Sequence, residues 1–147
     1  MKKDGLLILD SQYLLDTNII SEPLKAVPNK GVIDNLRVSE GKTALCSPVL
    51  HELSYGMERL SESKKKVLIR TYMDTVILPS LPVLSYSSEA ALIHARIRAK
   101  LEAKGKTTGY VDLQIASIAM ANCLILVTRN IKDFENIEDL KIENWFL

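Results

Sequence analysis

Along this chain, short apolar runs alternate with longer stretches of helical periodicity. "YLLD" opens the alternation and predicts a strand over 12–16, followed by a helical pattern from Asn18 to Lys25 and another over 31–39. "TALC" predicts the second strand. In "SPVLHELSYGMERL", Val49, Leu53, Met57 and Leu60 recur at helical spacing and make one apolar stripe. Ser47 is read there as the N-cap and Pro48 as the first helical residue. A partly basic helix is predicted over 61–77, and "VILPSLPVL", broken by two prolines, is assigned only short strand pieces. Ser87 or Ser88 caps a long helix reaching Lys104, and Tyr110–Ala121 forms the next. "CLILVT" reads as a central strand, and "LKIENWFL" supplies the last one.

Such alternation implies an α/β sandwich around a mostly parallel sheet. With 147 residues and no linker or repeat, a single domain over 12–147 is expected, with residues 1–11 as a possible flexible extension in front of it. No apolar run approaches the ~20 residues of a membrane span. The apolar stretch at 6–9 is flanked by Asp4 and Asp10, so a signal peptide is not expected and a cytoplasmic protein is. Cys46 and Cys123 both sit among apolar neighbours without metal-ligand spacing, and are read as reduced core thiols. A net charge of +1, from 19 basic and 18 acidic residues, excludes a strongly basic nonspecific nucleic-acid binder but leaves room for a local basic face.

Several acidic residues do not suit a bland surface. Asp16 ends the first strand, at the edge of an open α/β sheet where ligands bind; a cap for the next helix is the competing reading. Glu52 repeats that placement early in the helix after the second strand, although a solvated glutamate would look the same. Asp112 shares a helix face with Ile115, Ala116 and Ala119, and a carboxylate in line with a buried stripe needs a partner. Its competing role is to complement the helix dipole after Gly109. "LILVTRNIKDFE" then ends its apolar run at Thr128 and offers Asn130 and Asp133. His51 and His94 sit on predicted helices and are read as structural or exposed. Oxygen donors without histidine suit hard cations, Mg²⁺ or Mn²⁺, and such a centre can activate water against a phosphodiester.

"LLDTNIISE", "SPVLHELSYGMERL" and "VDLQIASIAMANCLILVTRNIKDFENI" together resemble the PIN-domain ribonucleases, in particular the VapC toxins of bacterial VapB–VapC pairs. The resemblance covers about residues 12–147. It implies a PIN-like three-layer α/β/α sandwich and a Mg²⁺-dependent endoribonuclease. Asp16, Glu52 and Asp112 fall on the family's acidic positions, so metal binding by Asp16 and Asp112, with Glu52 as a further ligand or a water-orienting group, is expected. Asn18 matches the polar residue two after the first aspartate, and Thr128 the threonine that closes the last core strand. Asn130 is neutral where many members carry a fourth acid; Asp133 stands nearby and would compensate through a water.

The resemblance also implies a homodimer and a neutralising VapB-like antitoxin. Ile19, Ile20, Leu24, Tyr55 and Met57 are candidates for its apolar contacts, each with core packing as the alternative. RNA would be met by Arg129 beside the site and by two basic clusters, Lys64–Lys66 with Arg70 and Arg96 to Lys106, unless these are solvated helix faces. Single-stranded or looped RNA is the expected target. Two other functions remain: a non-catalytic PIN-like module binding RNA or protein, favoured by Asn130, and a haloacid-dehalogenase-type phosphatase. The latter wants Asp-x-Asp where this chain has Asp16-Thr17-Asn18.

Overall fold

A strand that is apolar on both faces must be covered on both, and the helical segments between the strands supply that cover. The computed structural model describes residues 10–146. Strands β1 (Tyr13–Leu15), β2 (Thr43–Cys46), β3 (Val83–Leu84), β4 (Ile125–Val127) and β5 (Ile142–Glu143) form one sheet in the order β3-β2-β1-β4-β5. Every pairing is parallel; Leu14 stands opposite Ala44 on one side and Leu126 on the other. The expected mostly parallel α/β architecture is therefore present. Of the stretch read as an N-terminal extension, residues 1–9 lie outside the described residues.

The crossovers carry α1 (Thr17–Ile20) and α2 (Lys30–Val38) between β1 and β2, then α3 (Ser47–Glu58), α4 (Lys64–Tyr72) and α5 (Leu78–Ser80) between β2 and β3. Helices α6 (Ser88–Ala103) and α7 (Tyr110–Ala121) return the chain from β3 to β4. Because parallel crossovers are right-handed, reversing the direction of travel puts this last pair on the opposite face of the sheet. Leu14, Leu45 and Leu126 on the strands, Val49 of α3, and Ile115 and Ile118 of α7 are all buried in the core.

Several local expectations needed correction. The helical pattern over 18–25 is broken into α1 and a 3₁₀ turn at Glu22–Leu24, because Pro23 cannot continue the α-helical hydrogen bonds. Ser47 does not cap α3: Cys46 is the N-cap, without a side-chain bond, and Ser47 is already helical. The stretch 76–80 is helical rather than extended. A π turn at Met73–Ile77 carries α4 into α5, with buried Met73 and Ile77 turned into the core. Pro79 follows the π turn inside the same helical run and has no N–H to donate to the turn before it. Cys46 is a core thiol, its pKa pushed up to about 12 by burial. Cys123 is not: it is exposed, in the left-handed region (φ 55°), at the turn from α7 to β4.

Leu126 is fully buried on the strand between β1 and β5. Leu126→Ala should cost about 2–5 kcal/mol, read as a lower urea midpoint with an unchanged m-value. A midpoint within error of the wild type would contradict a close-packed core at this strand.

Candidate active site

The chain travels outward from β1 to β2 and β3, then returns to add β4 on the other edge of β1. Loops leaving β1 and β4 therefore diverge and open a crevice at the C-terminal edge of the sheet. Asp16 leaves β1 there and is only 7% exposed. Its Oδ1 accepts the Thr17 N–H at 2.8 Å, so the capping reading is correct but incomplete. Its Oδ2 accepts the Thr128 hydroxyl at 2.7 Å from the end of β4. The same Thr128 oxygen accepts the Asn130 N–H at 3.1 Å. Asn18 Oδ1 accepts the Arg129 N–H at 3.0 Å, so Asn18 and Thr128 together hold the two diverging loops.

Three further carboxylates face this crevice from other elements. Glu52, exposed on α3, accepts the Thr17 hydroxyl at 3.2 Å. Asp112 sits in the first turn of α7, and Asp133 in a 3₁₀ turn at Ile131–Asp133. The Asp112 pKa is pushed up to about 6 by burial and by the negative charges of Asp133, Asp16 and Glu52. Burial also raises the Asp16 pKa, opposed by the Thr128 and Thr17 hydrogen bonds and reinforced by Asp133. Residues distant in sequence thus share one electrostatic site. Asn130 is exposed beside them and contributes its backbone N–H.

Among the described residues, no ion pair includes Asp16, Glu52, Asp112 or Asp133. A buried carboxylate without an ion-pair partner is costly, and Asp16 is such a group. Nor do any three histidine, cysteine or acidic side chains among those residues close into a ready-made metal cage. An open set of oxygen donors fits a hydrated hard cation, which keeps several waters and shares positions with substrate phosphate. His51 is exposed and stacks on Tyr55, while His94 is buried away from the set, as expected.

Arg129 stands at the edge of the crevice with its guanidinium 4.5 Å from the centroid of Phe146. Arg129, Lys132 and Asn144 line a cleft of about 330 Å³ together with Asn130 and Asp133. Of the candidate antitoxin contacts, Ile19, Ile20 and Met57 are core residues, whereas Tyr55 is exposed and Leu24 half-buried. No helix among the described residues is long and apolar enough to cross a membrane.

Comparison with known proteins agrees with this geometry. The PIN domain family matches residues 13–140. Ribonuclease VapC2 of Rickettsia felis is 38% identical, over 90% of this chain and 97% of that protein. The tRNA(fMet)-specific endonuclease VapC of Shigella flexneri is 32% identical, over 91% of this chain and 98% of its own. The crystal structure of VapBC2 from Rickettsia felis bound to a promoter DNA fragment contains a chain that superposes with a TM-score of 0.77 at 36% identity. It covers 90% of this chain and 98% of that one. The chain belongs to the PIN-domain family, among its VapC ribonucleases. Nucleases of this family depend on a divalent metal.

Sequence reasoning had missed Thr17, whose N–H and hydroxyl tie Asp16 to Glu52. Its position directly after a strand-end aspartate was the available signal. It had also missed Phe146 and buried Glu22, which accepts the Asn29 N–H and pairs with Lys25; those contacts left no periodic trace.

Raised acid pKa values have a thermodynamic sign. Between the ordinary Asp112 value of 3.8 and about 6, the native state binds more protons than the unfolded chain. Stability therefore falls as pH rises through that window, and the penalty is complete above it. Metal-free Asp112→Asn should melt above the metal-free wild type near pH 7.5, with the gap closing towards pH 4; equal melting temperatures at both values would contradict the clustering. Thr128→Val keeps the shape but removes the donor to Asp16. It should cost about 1–3 kcal/mol at neutral pH and weaken divalent-cation binding in a calorimetric titration; unchanged cation affinity would show that this bond does not tune the site.

Proposed function

We propose that this chain is a Mg²⁺-dependent endoribonuclease and the toxin of a toxin–antitoxin pair, with residues 12–147 as its single catalytic domain. One observation carries the reading: Asp16, Glu52, Asp112 and Asp133 come from four separate elements, the negative charges of the other three raise the proton affinity of Asp112, and none of the four has an ion-pair partner among the described residues. Asp16 and Asp112 would hold the Mg²⁺, a role Mn²⁺ would also suit. When bound, the cation supplies charge neutralisation for the phosphodiester and a lowered pKa for the attacking water.

The protein's own groups do the rest. Thr128 and Thr17 fix both Asp16 oxygens, so the charge is aimed before substrate arrives. Glu52, tethered by Thr17, faces the site from α3 and orients the attacking water or binds the ion from a second side. Asp133 and Asn130 support the outer edge, with Asp133 in place of a fourth acid at position 130. Asn18 sets the backbone of Arg129, and the Phe146 ring under the guanidinium leaves its edge free for phosphate.

A relative carrying the name tRNA(fMet)-specific endonuclease makes structured transfer RNA the first substrate to test. A VapB-like antitoxin is the protein partner, in keeping with the VapBC2 complex and with the 33% identical toxin FitB of Neisseria gonorrhoeae. The enzyme works in the cytoplasm, where RNA and antitoxin are made, as a homodimer.

Purified protein incubated with transfer RNA and Mg²⁺ should cut it, and EDTA should abolish the cut. Asp16→Asn and Asp112→Asn should each lose at least about a hundredfold in rate. Equal cleavage by all three proteins would remove the assignment. RNA binding without cleavage would favour the non-catalytic module, and hydrolysis of small phosphomonoesters alone the phosphatase.

A further inference from the structure

The turn after β4 and the segment after β5 frame a cleft of about 330 Å³, lined by Arg129, Asn130, Ile131, Lys132, Asp133 and Asn144. Asp133 ties this cleft to the acidic crevice: after burial, its negative charge is the largest cause of the raised Asp112 pKa. The backbone makes the same connection. The Asn130 N–H donates to the Thr128 hydroxyl oxygen at 3.1 Å, and that hydroxyl donates to Asp16 at 2.7 Å.

Three side chains of the lining offer donors. Arg129 is fixed at both ends, its N–H given to Asn18 Oδ1 at 3.0 Å and its guanidinium 4.5 Å from the Phe146 centroid. Asn144 Oδ1 accepts the Phe146 N–H at 2.9 Å, which sets the amide's orientation and makes Nδ2, with its two protons, the opposite end. The segment carrying Asn144 is anchored by Trp145, which is 5% exposed and packs edge-on against Tyr13 with centroids 5.2 Å apart. Lys132 is the middle residue of the 3₁₀ turn Ile131–Asp133, held by the Phe134 N–H on the Ile131 carbonyl at 3.0 Å and by the buried Phe134 ring. Among the described residues, neither Arg129 nor Lys132 is in an ion pair. Glu22 feels the Arg129 charge but forms its ion pair with Lys25, at 2.9 Å. Two cations against the single carboxylate of Asp133 leave the lining net positive. Donors already ordered by the fold lose little freedom when they take up an anion.

We propose that this cleft binds a backbone phosphate of single-stranded RNA next to the scissile one, through Arg129, Lys132 and Asn144 Nδ2. The assignment rests on the endoribonuclease reading and names a substrate subsite for it. The carboxylates serve the reacting phosphate and the cleft takes its neighbour, with Asp133 common to both. A phosphate contact carries no base information, so the subsite sets affinity and register rather than sequence.

The test pairs protein variants with altered RNA. Wild type, Lys132→Ala, Lys132→Arg and Asn144→Asp are given a single-stranded RNA, and the same RNA with one phosphate at a time replaced by an uncharged methylphosphonate. Asn144→Asp keeps the acceptor for the Phe146 N–H and removes only the donor. Binding is read by fluorescence anisotropy with EDTA present, and KM and kcat with Mg²⁺. Lys132→Ala should weaken binding and raise KM about tenfold with little change in kcat, and should flatten the dependence of log Kd on log salt by about 0.7. Asn144→Asp should weaken binding at least as much, and Lys132→Arg should stay near the wild type. At one methylphosphonate beside the cut, the wild type and both weakened variants should become equal. A penalty that persists with every altered RNA would mean that position 132 acts only through the overall charge, and would overturn the proposal. So would equality at the scissile phosphate alone, or unchanged RNA parameters, including the case where the variants instead lose a protein partner. Cleavage without the coupling would leave the nuclease reading standing and sink the subsite. Coupling to one phosphate without cleavage would keep the phosphate site and sink the nuclease reading; neither binding nor cleavage would sink both.

Discussion

Asp16 lies buried at the end of the central strand, with the Thr128 hydroxyl at 2.7 Å on one oxygen and the Thr17 N–H at 2.8 Å on the other. A carboxylate in that position is tolerated only because the strand order reverses beside it. The reversal opens a crevice at the sheet edge and brings the end of β4 within hydrogen-bonding reach of the end of β1. The Asp16–Thr128 bond therefore does two jobs. It solvates a buried charge in place of water, and it locks the two loops whose backbones carry Asn18, Arg129 and Asn130. Asn18 repeats the device one step further out by accepting the Arg129 N–H.

Around that anchor the acids are arranged against their own stability. Asp112 feels Asp133, Asp16 and Glu52, and among the described residues none of the four is in an ion pair. An arrangement that costs folding energy persists when it performs a task, and gripping a hard cation is the task these oxygens suit. The basic residues that would attract RNA are partly spoken for. Arg98 pairs with Glu102 at 3.1 Å, Lys104 with Glu138 at 2.9 Å, and Arg70 lies 3.6 Å from Glu62. Exposed pairs of this kind contribute little to stability. Arg129, stacked on Phe146, lines the cleft beside Asp133.

Much of this was legible before any coordinates. Helix Tyr110–Ala121 and strand Thr43–Cys46 have the bounds their patterns predicted, and Ser87 caps α6. In each case a strong local signal agreed with the tertiary surroundings. Local signals failed where packing outweighed them. Two prolines argued against a helix over 76–80, yet buried Met73 and Ile77 carry the chain through a π turn into one. Cys123 looked like core because its neighbours are apolar, but the turn from α7 to β4 points it outward. Ile19, Ile20 and Met57, candidates for a partner surface, went to the core instead.

The order of residues by itself determined the alternation of strands and helices, the parallel sheet and the strand-end placement of Asp16 and Thr128, because these follow from hydrophobic period and turn chemistry acting over a few residues. It also marked Asp112 as misplaced on an apolar face. Tertiary structure alone decided which carboxylates share a field, that Thr17 binds both Asp16 and Glu52, and that Arg129 lies on Phe146 and Tyr110 on His94. Those contacts join residues far apart in the chain, and only the order and register of the strands bring them together.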